Sequence, residues 1–208
     1  MKLPTRQQAE SYFDKYKVPN NVKLHCFKVN KVSVFLAEKL IAKGENINLE
    51  IVDRLSLLHD IFKAIVIDNL EKPSEKFNYQ PDKEKVEFWN NMKITYKGMH
   101  ETQLFYELFK DEFPEFSELV YNFGKHSIFT SGKTREEQIT HYADWRVFLD
   151  DIVPLKERID DLFRRYNGLI LSKGKELWDK RIADELKVES SIFSKLDISP
   201  ADLKELIQ

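Results

Sequence analysis

Apolar residues recur at three- and four-residue steps along most of this chain, and that period restricts the fold to packed amphipathic helices. Between Asn21 and Lys43 the series Leu24, Phe27, Val32, Phe35, Leu36, Leu40 marks one face of a long helix, and Gly44 supplies its stop. A third helix is expected through Ile51, Val52, Leu55, Leu58 and Phe62, after a short first helix from Thr5 to about Lys17. Residues 68–97, with Pro73 and Pro81, read as a long loop with a helical piece near Glu84 to Met92. Amphipathic helices follow over Met99 to Lys110 and Pro114 to Phe123, the second stopped by Gly124. Thr134 and Glu137 form a capping box that opens a helix through Ile139, Tyr142, Ala143, Val147 and Phe148. Pro154 starts a charged helix to about Tyr166, and two or three more occupy Leu169 to Gln208. No strand pattern or internal repeat emerges, so the expected class is all-α. The expected division is a main domain over 1–154 and a helical extension over 155–208 packed on it.

Composition removes several function classes. Thirty-three basic residues against thirty-five acidic ones, with no long block of like charge, give no reason to expect a nucleic-acid partner. One cysteine, Cys26, excludes an internal disulfide and a cysteine-based zinc ribbon. No apolar run approaches the ~20 residues that cross a bilayer, and MKLPTRQQAE lacks an apolar segment of signal-peptide length. A cytoplasmic protein without a membrane partner is the expectation, and self-association stays open. There is no glycine-rich phosphate loop, no G-x-S-x-G elbow, and no motif marking Cys26 as a nucleophile.

The chemistry resides in the histidines, of which there are five, at positions 25, 59, 100, 126 and 141. A lone histidine on an apolar helix face is usually a hydrogen-bonded core residue. His59 differs because Asp60 follows it within Leu57-Leu58-His59-Asp60-Ile61, and burying an unpaired carboxylate there is costly. A divalent cation would remove that cost. Imidazole with carboxylate suits Mn, Fe, Co, Ni or Zn and argues against calcium.

Leu24-His25, Leu57-Leu58-His59-Asp60 and Tyr142-Ala143-Asp144 together resemble the H...HD...D pattern of the HD-domain metal-dependent phosphohydrolases, over roughly residues 20 to 150. The resemblance implies an HD-type helical bundle, here with additional C-terminal helices, in which His25, His59, Asp60 and Asp144 hold one metal. Some members hold two, and their additional histidines correspond in place to His100 and His126, with Asp60 as bridging carboxylate. Lys63 matches the lysine often found after the HD pair and is a candidate phosphate ligand; a solvated lysine is the plainer reading. Phe62 stands where many relatives have glycine, and either narrows the pocket or belongs to the core. His141, three residues before Asp144, is either structural or an outer acid-base group. Arg146 and Lys133 either meet phosphate or lie on a solvated face.

The resulting expectation is hydrolysis of a nucleotide or another small phosphate ester by water activated on one or two divalent ions, with Mn, Fe, Co or Ni favoured and Mg or Zn also compatible. Asp60 and Lys63 are the expected catalytic side chains. Two other classes remain: a di-iron oxygenase of the same fold, and a non-catalytic nucleotide-binding or regulatory module.

Overall fold

The computed structural model describes residues 1–125 and 129–207. The chain is 68% helical, with ten α-helices and one two-stranded sheet among the described residues, so it is essentially all-α. Its order is α1 (Arg6–Lys15), α2 (Asn20–Ala42), α3 (Leu49–Leu58), α4 (Lys83–Thr95), α5 (Glu101–Phe109), α6 (Pro114–Phe123), α7 (Arg135–Asp144), β1 (Val147–Phe148), β2 (Asp151–Ile152), α8 (Leu155–Lys173), α9 (Lys175–Phe193) and α10 (Leu203–Leu206). No described helix is long and apolar enough to cross a membrane.

Local chemistry explains most of the helix starts. The Thr5 hydroxyl accepts from the Gln8 amide at 3.1 Å, and the Gln8 side chain accepts from the Thr5 amide at 2.8 Å, a reciprocal cap that opens α1. Thr134 and Glu137 do the same for α7, as their spacing predicts. Asp82 caps α4, which runs longer than the helical piece expected near Glu84 to Met92. Pro114 opens α6 at a position where its missing N–H costs nothing. The backbone of α8 breaks at Tyr166, near the expected end of that helix, and Gly174 takes a φ of 99° to turn the chain into α9.

Two helices end earlier than their apolar spacing predicts. Helix α3 stops at Leu58, and the chain tightens into three-residue turns, with Lys63 N–H donating to Asp60 O at 2.8 Å and a 3-10 turn at Lys63–Ile65. His59 and Asp60 therefore stand just past the helix end, not inside it. Helix α7 stops at Asp144, and Val147–Phe148 pairs antiparallel with Asp151–Ile152 as a short hairpin.

The chain divides into two compact units, Met1–Phe27 with Arg54–Lys125, and Lys28–Asp53 with His126–Gln208. The division falls within α2 and within α3, and the boundary expected at 154/155 lies inside the second unit. An aromatic-rich core holds the first unit: Phe62 is buried with its ring 4.9 Å from Tyr16 and 6.0 Å from Phe105, while Phe105 and Phe109 lie 4.6 Å apart. Phe62 is thus a core residue. Gly124, just after α6, approaches Thr102 so closely that a Cβ there would meet its methyl carbon at 2.5 Å. In the second unit Val32, Leu36, Leu40, Ile139, Tyr142, Val188 and Ile192 make the core. Arg146 is 3% exposed there; it donates to Val153 O at 2.7 Å and to Pro200 O at 2.8 Å. It fastens the hairpin and the turn before α10, so neither of its expected roles, phosphate contact or solvated face, describes it. The Lys133 side chain is likewise nearly inaccessible, 3.7 Å from Glu137, and burial pushes its ammonium below the usual lysine range.

Candidate metal centre

His59 is 4% exposed, and its Nδ1 lies 2.8 Å from Ser56 O at the end of α3. A carbonyl only accepts, so Nδ1 carries the proton and the lone pair sits on Nε2. That is the form of a metal-ligating imidazole held by a backbone acceptor. The His25 ring, one turn into α2, stands 5.7 Å from the His59 ring, and Phe123 closes the other side of His59 at 6.1 Å, edge to face. Of the expected ligands, the first unit thus holds His25 and His59 side by side, and Asp144 belongs to the second unit.

Asp60 is ion-paired within the first unit. Its carboxylate stands 3.5 Å from the Lys63 ammonium, which donates to Glu101 at 2.8 Å. Lys63 stands four residues after His59, a spacing that would share one helix face, but His59 to Phe62 form a turn and the spacing does not account for its position. Lys63 is instead held by two carboxylates. His100 is the N-cap residue of α5 with its side chain 51% exposed, its Nε2 3.3 Å from Glu101 and its Nδ1 3.2 Å from the Thr102 hydroxyl. His126 lies outside the described residues.

Of the buried carboxylates that escaped the sequence reading, two stand beside histidines. Glu101, 5% exposed, gathers Lys63 and His100 in the first unit. A glutamate in the first turn of a helix normally complements the helix dipole from the surface, so nothing in the sequence marks its burial. Glu185 of α9, in the second unit, is the other. Compared with family models, with curated proteins and with solved structures, the chain matches none.

Proposed function

We propose that the chain is a metal-dependent phosphohydrolase of the HD type, acting on a nucleotide or another small phosphate ester. The observation that carries the reading is the pairing of the His25 and His59 rings, 5.7 Å apart, with His59 held as the Nδ1–H form. Two imidazoles and one carboxylate leave coordination positions open, as a catalytic site requires and a purely structural one does not. A bound divalent ion would lower the pKa of a coordinated water toward roughly 7 and neutralise charge on phosphoryl oxygens. Asp60, adjacent to His59, would extend the ligand set or bridge to a second ion, for which His100 and His126 are the proposed further ligands. Lys63 is kept in place by Glu101 at 2.8 Å, and its ammonium would meet a phosphoryl oxygen.

The test is elemental analysis of protein purified without chelators, as wild type and as His59→Ala, Asp60→Ala and Asp144→Ala, followed by assays of phosphate release from a nucleotide panel. One or two divalent ions per chain are expected, lost in His59→Ala and Asp144→Ala, together with phosphate release in the wild type. Stoichiometric iron in two oxidation states without phosphate release would favour the oxygenase. No metal retained after reconstitution with Mn, Fe, Co or Ni would end the reading.

A further inference from the structure

Helices α8 and α9 are anchored at their far ends and bare where they meet. Every buried residue of α8, Leu155, Arg158 and Asp161, precedes the break at Tyr166, and every buried residue of α9, Glu185, Val188 and Ile192, lies in its second half. From Leu162 to Asp184 the chain buries no residue fully. The turn at Gly174 joins these two uncovered stretches, and Trp178 ties the start of α9 back, with its ring 5.9 Å from Trp145 and 6.4 Å from Phe163. What the joined ends present is apolar. Leu169 is 54% exposed and Leu171 58%, with Ile170 half-buried between them, and Leu177 is exposed beyond the turn.

Leu169 and Leu171 are two residues apart, so their side chains leave the helix about 200° from each other. A groove on a partner protein covers one face of a helix; successive apolar residues that look out on opposite sides are covered only by a medium that closes round the tip. Cations stand on both sides of this run. Between Arg164 and Arg181 six basic residues stand against two acidic ones, in a chain whose net charge is −2. Both acids are matched on α9, Asp179 by Lys175 and Glu176 by Lys180, each at 2.7 Å. Arg165 is matched by Asp161, and Arg181 feels the charge of Asp184 and Glu185. The surplus falls to Arg164 and Lys173, both exposed, one before the leucines and one after them. Two copies meeting at their tips would set these like charges against each other, which argues against a second copy as the partner.

We propose that the tip of the α8–α9 hairpin is a docking surface for an anionic lipid bilayer, with the leucine run entering the boundary between headgroups and acyl chains and Arg164 and Lys173 lying at the level of the lipid phosphates. Long basic side chains keep their charge in water while their stems stay with the apolar part. Apolar insertion supplies the attraction that salt does not weaken, and the cations supply the preference for acidic headgroups. The contact is peripheral: no described helix is long and apolar enough to cross a membrane, and a surface contact needs none. None of the residues named for the metal centre lies in this segment, so attachment and chemistry are separable.

The experiment is co-sedimentation of the full-length protein with vesicles of phosphatidylcholine alone and of phosphatidylcholine and phosphatidylserine in equal parts. Wild type is expected to sediment with the mixed vesicles, to stay in solution with the neutral ones, and to lose part of its binding in high salt. The double variant Leu169→Ser, Leu171→Ser keeps every charge and is expected to lower partitioning about tenfold or more, since each buried methylene counts for about fourfold. The double variant Arg164→Glu, Lys173→Glu keeps every leucine and is expected to remove the preference for phosphatidylserine. All four positions are exposed, so both variants should keep the far-UV circular dichroism and thermal midpoint of wild type. A wild type that ignores both kinds of vesicle overturns the proposal without any variant having to fold, and leaves the tip to an acidic protein segment. Equal binding to neutral vesicles overturns it as well, as does binding unchanged by the loss of the leucines. Sedimentation velocity without lipid is the independent check: a wild-type dimer that becomes monomeric in Leu169→Ser, Leu171→Ser would assign the leucines to a second copy and overturn the proposal.

Discussion

Lys63 shows how a single side chain changes meaning once its neighbours are known. In the sequence it is a cation after an HD pair; in the fold it is one member of a chain of polar contacts running Asp60, Lys63, Glu101, His100. Glu101 is nearly inaccessible, and a buried acceptor that loses its charged donor bears its own desolvation cost. Lys63→Met is therefore expected to lower unfolding free energy by about 1–3 kcal/mol. Replacing both partners, as in Lys63→Met with Glu101→Leu, removes the stranded charge and should recover most of that loss. Urea denaturation of the three proteins at neutral pH measures the cycle. Equal loss in the single and double variants would mean that the pair does not interact energetically. The histidines and aspartates proposed as ligands were legible at this scale, since each stands in a recognisable local context. Glu101 and Glu185 were not legible, because burial of a helical glutamate depends on what packs over it.

At the scale of elements, periodicity and capping chemistry made most helices readable, including α2, α6 and the start of α7. Their ends were harder. Helix α3 closes by tightening into 3-10 turns without glycine or proline to announce it, and the apolar series runs on through Ile61 and Phe62 because both still face the core. The β1–β2 hairpin has two residues per strand, too few for alternation to register. Its turn places Leu149, and no glycine, at a φ of 58°. Gly124 reads in the sequence as a helix stop, yet its φ is −72°, which any residue adopts. Its requirement is space: the Thr102 methyl and hydroxyl occupy the place of a side chain, at 2.5 and 2.8 Å from a built Cβ. Gly124→Ala is expected to cost about 1–3 kcal/mol through overpacking of α5 against α6. Adding Thr102→Ala removes the two closest atoms and should return more than half of it. Thermal unfolding of the single and double variants decides this; a Gly124→Ala protein as stable as wild type would show that α6 shifts at no cost.

Over the whole molecule, each compact unit buries one tyrosine whose phenol resists ionisation. Tyr12 belongs to the core of the first unit, and burial, with the charges of Glu112 and Tyr16, pushes its pKa up to about 12. Tyr142 belongs to the core of the second and donates to Glu189 at 2.7 Å; burial pushes its pKa up further, beyond the ordinary range. In the unfolded chain both phenols ionise near the usual value of 10. Above that pH the unfolded state has lost protons that the folded state retains, so unfolding is favoured progressively as pH rises. Each phenol contributes a slope of at most about 1.4 kcal/mol per pH unit. The contribution of Tyr12 levels off near pH 12, where the folded phenol ionises as well, and that of Tyr142 continues past it. Both terms vanish below about pH 9, where neither state is ionised. Urea midpoints at pH 8, 10 and 11, with phenolate absorbance followed in parallel, should show stability level at first and then falling, while these two phenols stay protonated until the chain unfolds. Tyr12→Phe should shallow the fall without removing it, because Tyr142 still supplies its share. A stability that stays flat from pH 8 to 11 would mean that both phenols ionise in place, and that neither core excludes the charge.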